Sequence, residues 1–165
     1  MERLWSPWRL AYVTATNETH GCVFCDAPSR EDHESLILHR GVACYVILNL
    51  YPYNNGHLMV VPKRHVASLA GCTADELNEM MALTRRAELA LTEAYQPQGL
   101  NIGINLGRSA GAGVVDHVHI HAVPRWTGDT NFMSVVGEVR VLPEDLAESA
   151  RRLRPVFARL AESNQ

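Results

Sequence analysis

Asp116-His117-Val118-His119-Ile120-His121-Ala122-Val123-Pro124-Arg125-Trp126 is the stretch on which the reading of this chain turns. Histidine alternates there with apolar residues, the period-2 signature of a strand with one apolar and one polar face. The spacing predicts a strand over 116–123 with all three imidazoles on the same face. Successive rings would stand about 7 Å apart along it, and the outer pair about 13 Å. Imidazole gains and loses a proton near neutral pH, and it also serves as a nucleophile or a metal ligand. Ligand nitrogens must all lie about 2 Å from a shared ion, so three rings spread this far do not converge on one metal. A division of roles along the row is expected.

The rest of the chain sets that strand in a small single domain. Its 165 residues are enough to bury a core, and 47% hydrophobic with 20% charged residues is the balance of a soluble globular protein. A net charge of -3 argues against a general nucleic-acid binder, which usually carries a basic face or stripe, so nucleic acid is not an expected partner. No apolar run approaches the roughly 18 residues of a membrane span. The first residues, Met1-Glu-Arg-Leu-Trp-Ser-Pro-Trp-Arg9, lack the apolar core of a secretory signal, so the cytoplasm is the expected location.

Residues 1–20 read as an N-terminal arm carrying Trp5 and Trp8, and 21–165 as one domain. Strands are expected at Leu36–Leu38, Ala43–Leu50, His57–Val61 and Leu100–Leu106. Thr73-Ala-Asp-Glu76 is a capping box opening a helix to about Tyr95, with Leu77, Met80, Met81, Ala87, Leu91 and Ala94 as its buried stripe. A last helix is expected over Glu144 to about Ala161, kinked at Pro155. The fold class is α+β: a mainly antiparallel sheet with one long helix and a C-terminal helix.

Four cysteines without an export signal do not suggest disulfides. Cys44 and Cys72 read as small packed residues. Cys22 and Cys25 have the spacing of half a zinc site, with His65 and His117 as candidate partners; two packed cysteines beside a surface histidine is the equal alternative. The segment 105–113, with Gly107, Gly111 and Gly113, lets backbone N–H groups approach an anion, and Arg108 and Ser109 add donors. Beside three histidines it reads as a phosphate cradle.

His117-Val-His119-Ile-His121-Ala-Val resembles the histidine triad (HIT) pattern of histidines alternating with apolar residues. Asn49 to Pro62 is similar to the family's upstream strand. The Leu4–Arg9 and Pro124–Phe132 segments resemble the bacterial branch that includes diadenosine tetraphosphate (Ap4A) phosphorylases. The resemblance implies a HIT-like fold, a nucleotide substrate and a homodimer. It implies attack by His119 on the α-phosphorus to give a nucleotidyl-imidazole, with His121 at the phosphate or leaving group. His57, by itself a core histidine, becomes a supporting catalytic residue; Asn49 would hold ribose, and Asn105 with the loop at Ser109, Gly111 and Gly113 the phosphate. A structural zinc on Cys22, Cys25, His65 and His117 is implied, with no cofactor needed for the chemistry. Many relatives carry Ser or Thr where this chain has Gly113, leaving the backbone N–H there and Ser109 as the candidate hydroxyl. Other readings are a purine nucleoside phosphoramidase, a nucleotide-binding module with little catalysis, and a zinc hydrolase using the histidines as catalytic ligands.

Overall fold

The computed structural model describes residues 21–129 and 144–162, apart from the side chain of His33. The arm at 1–20, and residues 130–132 of the Pro124–Phe132 motif, lie outside the described residues. Five strands, β1 (Ile37–Arg40), β2 (Cys44–Leu48), β3 (Leu58–Pro62), β4 (Gly99–Ile104) and β5 (Ile120–Arg125), form one sheet in the order β1-β2-β3-β5-β4. Every neighbouring pair is antiparallel. The helices α1 (Ala74–Tyr95) and α2 (Leu146–Glu162) close the main core, where Met80, Leu91, Leu153 and Phe157 pack with Val60 and Ile120. This is the expected α+β architecture. Among the described residues no helix is long and apolar enough to cross a membrane.

Alternation through the start of β5 and the three residues before it divides their side chains between two environments. Val118, Ile120 and Ala122 enter the helix-backed core, which leaves His117, His119 and His121 to the opposite side. On that side a smaller cluster, with Ile37, Tyr45, Met59 and Val61, is covered by Phe24 and Ala27. Phe24 comes from a single helical turn, Val23–Asp26, that includes one cysteine of the Cys22–Cys25 pair and follows the other.

The ladder does not run through the whole histidine row as expected. Paired strand begins only at Ile120, so His117 and His119 precede it. Continuing the β3–β5 register from Val60↔Ile120 would place Val118 opposite Pro62. Proline has no N–H to give a ladder, and the Pro62 carbonyl already accepts from His117 Nε2 at 2.8 Å. The Val118 N–H donates instead to the Val66 carbonyl at 2.7 Å, beyond the end of β3.

The stripe of α1 also differs from the expected one. Glu76, Met80, Leu83, Ala87 and Ala90 are buried, whereas Leu77 is 38% and Met81 63% exposed. Each of these two follows a buried position by one residue, about 100° around the helix. The capping box is present, and it extends into the tertiary structure. Glu76 receives the Thr73 N–H at 2.7 Å and both Nε (2.9 Å) and Nη2 (2.7 Å) of Arg64. Pro155 lies inside α2 without ending it, and Cys44 is buried in the core as expected.

The Arg64 guanidinium, then the Thr73 backbone N–H, hold the Glu76 carboxyl down to about 2. A carboxyl lowered by folding contributes stability above its unfolded value; that contribution is lost as pH falls from there towards 2. Glu76→Gln is therefore expected to lower stability at pH 7 and to flatten its dependence on pH across that acid window. Urea midpoints measured from pH 7 to pH 2 check this, and an unaltered acid slope would contradict it.

Candidate functional site

Two histidine arrangements meet at the start of β5. The first holds His57, His119 and His121. Gly56 turns the chain into His57 with φ at +75°, and an added Cβ there would sit 2.8 Å from Tyr95 Cε2. Glycine is needed at that turn for both reasons. His57 is wholly buried at the foot of β3, and its ring centroid lies 4.7 Å from that of Tyr53.

Hydrogen bonds define which nitrogen carries each proton. A backbone N–H can only donate, so Tyr53 N–H fixes His57 Nδ1 as acceptor, at 3.0 Å. His57 in its neutral form then carries its proton on Nε2 and donates to His121 Nδ1, also at 3.0 Å. That leaves the His121 proton on Nε2. His119 has the opposite tautomer: its Nδ1 donates to the His117 carbonyl at 2.8 Å, so its Nε2 keeps a lone pair. The His119 and His121 ring centroids are 4.7 Å apart and nearly perpendicular, at 72°. They stand closer than the spacing of a regular strand.

Burial keeps these rings neutral. It lowers the His119 pKa against the opposing bond to the His117 carbonyl. At His121 burial, assisted by neighbouring His119, brings the value down to about 4. At neutral pH the pair therefore offers a bare imidazole nitrogen beside an imidazole N–H donor.

The expected substrate residues surround this pair unevenly. Asn49 is tied to the His57 turn, its N–H donating to the His57 carbonyl at 2.9 Å. Its Nδ2 is 3.4 Å from both ring nitrogens of His57, against the ring instead of along one lone pair. Asn105 follows β4 where the ladder ends at Ile104↔Ile120; continuing the same register would place it opposite His119. Ser109 is exposed on a 3-10 turn, Arg108–Ala110. The loop spends N–H groups on itself: those of Ala110 and Ala112 donate to the Gly107 carbonyl, and that of Gly111 to Arg108. Among the described residues, neither Asn105, Ser109 nor Gly113 hydrogen-bonds a histidine of the row.

The second arrangement gathers Cys22, Cys25, His65 and His117, whose ligand atoms all lie within 4.8 Å of one another. Cys22 Sγ is 3.3 Å and Cys25 Sγ 3.6 Å from His117 Nδ1, and Cys25 Sγ is 3.3 Å from His65 Nδ1. Tetrahedral zinc with bonds of about 2.3 Å to sulfur and 2.0 Å to nitrogen sets such S–N edges near 3.5 Å. The Nε2 proton of His117 is held by Pro62, which turns the Nδ1 lone pair towards the sulfurs. Burial and neighbouring Cys22 raise the Cys25 thiol, a crowding of sulfurs that a bound cation relieves. The four residues fit a structural zinc, and none of the four cysteines is in a disulfide.

Two residues of the site escaped the sequence reading. Tyr53 supplies the N–H that sets the His57 tautomer, and its ring lies 6.3 Å from that of His121. Phe24 places its ring 4.8 Å from that of His119 and 5.4 Å from that of His117. An apolar residue between two ligand cysteines was the available signal for Phe24; nothing local marked Tyr53.

Fold and site together define a helix-backed antiparallel sheet that presents paired, oppositely protonated imidazoles beside a Cys/His cluster able to hold a metal ion. The HIT domain family model matches residues 30–128, more than half of the chain. The chain belongs to the histidine triad family. An AP-4-A phosphorylase of Mycobacterium tuberculosis is 40% identical over 167 residues, covering 96% of this chain and 86% of that protein. The crystal structure of a Zn-bound histidine triad family protein from Mycobacterium smegmatis aligns with a TM-score of 0.69 and 30% identity, covering 87% of this chain and 97% of that one. A hypothetical histidine triad nucleotide-binding protein from Sulfolobus tokodaii aligns at 0.67 with 27% identity, covering 84% and 93%.

Proposed function

We propose that this protein cleaves dinucleoside polyphosphates of the Ap4A type through a nucleotidyl-histidine intermediate, with inorganic phosphate as acceptor. The observation that carries this reading is the opposite protonation of His119 and His121. His119 Nε2 attacks the α-phosphorus, forming an N–P bond while the P–O bond to the leaving polyphosphate breaks. Its Nδ1–H stays on the His117 carbonyl, which stabilises the positive charge then gained by the ring. The His121 Nε2–H donates to the phosphate or leaving-group oxygens. A phosphate oxygen next attacks phosphorus, the N–P bond breaks and neutral His119 is restored.

In this reading Asn49 holds the ribose hydroxyls. Asn105 and the backbone N–H groups of Ser109 and Gly113 hold the transferring phosphate, and Gly111, whose N–H is spent on Arg108, supplies the left-handed turn between them. His57 keeps the His121 proton on Nε2. Zinc on Cys22, Cys25, His65 and His117 would supply a cross-link between distant segments and take no part in bond making. Thiols kept reduced for a metal suit the cytoplasm. The exposed edge β4, with Ile102 and nearby Leu106 each 45% exposed, supports a homodimer joined along that strand. Light scattering tests the dimer.

The AP-4-A phosphorylase relative makes phosphate the expected acceptor. Product analysis of Ap4A turnover with and without phosphate decides: ADP plus ATP denotes phosphorolysis, whereas AMP plus ATP denotes hydrolysis. Absence of turnover under both conditions would refute the Ap4A reading; an adenosine phosphoramidate tried alongside then separates a phosphoramidase, which cleaves it, from a nucleotide-binding module, which does not.

A pH profile follows from the buried donor. A histidine whose value is lowered to about 4 remains neutral until strongly acidic pH. Since kcat/KM reports groups of the free enzyme, His121 is expected to impose no loss between pH 8 and about 5.5, and a fall only as pH approaches 4. An acid limb near 6.5 that disappears in His121→Asn would overturn this assignment.

A further inference from the structure

We propose that Phe24 is a positioning residue for His119, so that the Cys22–Cys25 turn aligns the nucleophile as well as carrying metal ligands. The proposal rests on the role given to His119 above. Phe24 is 4% exposed, and its ring lies at 50° to that of His119 and at 72° to that of His117, an edge contact.

The bond from Nδ1 to the His117 carbonyl holds one edge of the nucleophilic imidazole but still permits tilting about that bond. A phenyl ring in contact with the imidazole limits the tilt. Phe24 is itself fixed: the Tyr45 hydroxyl donates to its carbonyl at 2.7 Å, and the Cys22 carbonyl accepts the N–H groups of Cys25 and Asp26. His117 joins the two halves, placing its Nδ1 among the ligands and its carbonyl under His119. The metal-bearing turn therefore touches the nucleophile by two routes, one through His117 and one through the Phe24 ring. An error of about 1 Å in a reacting group is enough to cost on the order of 100-fold in rate.

The test uses zinc-loaded protein with Ap4A and phosphate, comparing Phe24→Ala, Phe24→Val and Phe24→Leu with the unaltered chain. Phe24→Ala is expected to lower kcat by about 10-fold or more with KM within about 3-fold, because alignment acts on the reacting atom and not on nucleotide binding. Phe24→Leu, which restores bulk, should recover much of the loss. Zinc content should stay at about one per chain in every variant. Should Phe24→Ala fail to fold, Phe24→Val is expected to show the same split at smaller amplitude. A kcat equal to that of the unaltered protein, or a loss that tracks zinc content or appears only in KM, would overturn the proposal.

The ring nitrogens of His119 give a second readout by 1H–15N NMR. One persistent Nδ1–H signal is expected in the unaltered protein and a broadened one in the variant with the smaller side chain. An equally sharp signal in both would reject the role of Phe24. Because this readout needs no turnover, it judges Phe24 even if Ap4A is not a substrate.

Discussion

His119→Ala is expected to abolish turnover of Ap4A, lowering kcat by about 10⁴-fold or more, as losses of nucleophiles do. The reason lies in the bond that must form. His119 alone of the three rings has a lone pair at Nε2 while its Nδ1 proton is held by the His117 carbonyl. His121 carries a proton at the corresponding nitrogen, and the His117 Nδ1 faces the cysteine sulfurs. Neither neighbour can replace the missing nucleophile. The substitution also empties space at a buried site, at a cost of about 1–3 kcal/mol that leaves the sheet folded. Rapid-quench trapping with substrate labelled on the α-phosphorus should find a nucleotidyl-protein adduct in the unaltered chain and none in His119→Ala. Wild-type turnover by a well-folded His119→Ala protein would remove covalent catalysis from consideration.

Loss of the metal is expected to have the second large effect, on stability. The ligands come from residues 22, 25, 65 and 117, which separate turns of the chain bring together. A cation here closes long loops and relieves two crowded thiols, so its binding energy adds to folding energy. Chelation, or Cys22→Ser, should lower the melting temperature by about 10 °C or more, corresponding to roughly 3 kcal/mol or more for a chain of this size. Activity should decline in step with unfolding. Immediate loss of activity at unchanged circular dichroism would instead favour the zinc-hydrolase reading. Metal analysis of the purified protein should return about one zinc per chain.

Part of this arrangement was legible because it is local. Period-2 alternation in 117–122 separates apolar from imidazole side chains whether or not a ladder forms, so the faces were predictable although the strand begins only at Ile120. The capping box was equally local, and it formed. The buried stripe of α1 was less legible, since Glu76 enters it only because Arg64 arrives to receive its charge. The candidate ligands were readable as residue types, but their convergence depends on Val118 pairing with Val66 where the ladder stops opposite Pro62.

Local pattern alone could establish that three imidazoles share one side of an extended segment, because side-chain direction in extended chain depends only on neighbouring residues. It could not distinguish the imidazoles by their protons. That distinction came from groups far away in sequence: the Tyr53 N–H reaching His121 through His57, the Pro62 carbonyl on His117, and the thiols of Cys22 and Cys25. A tautomer is set by whichever donor or acceptor occupies the far side of the ring, and only the folded chain brings that group there.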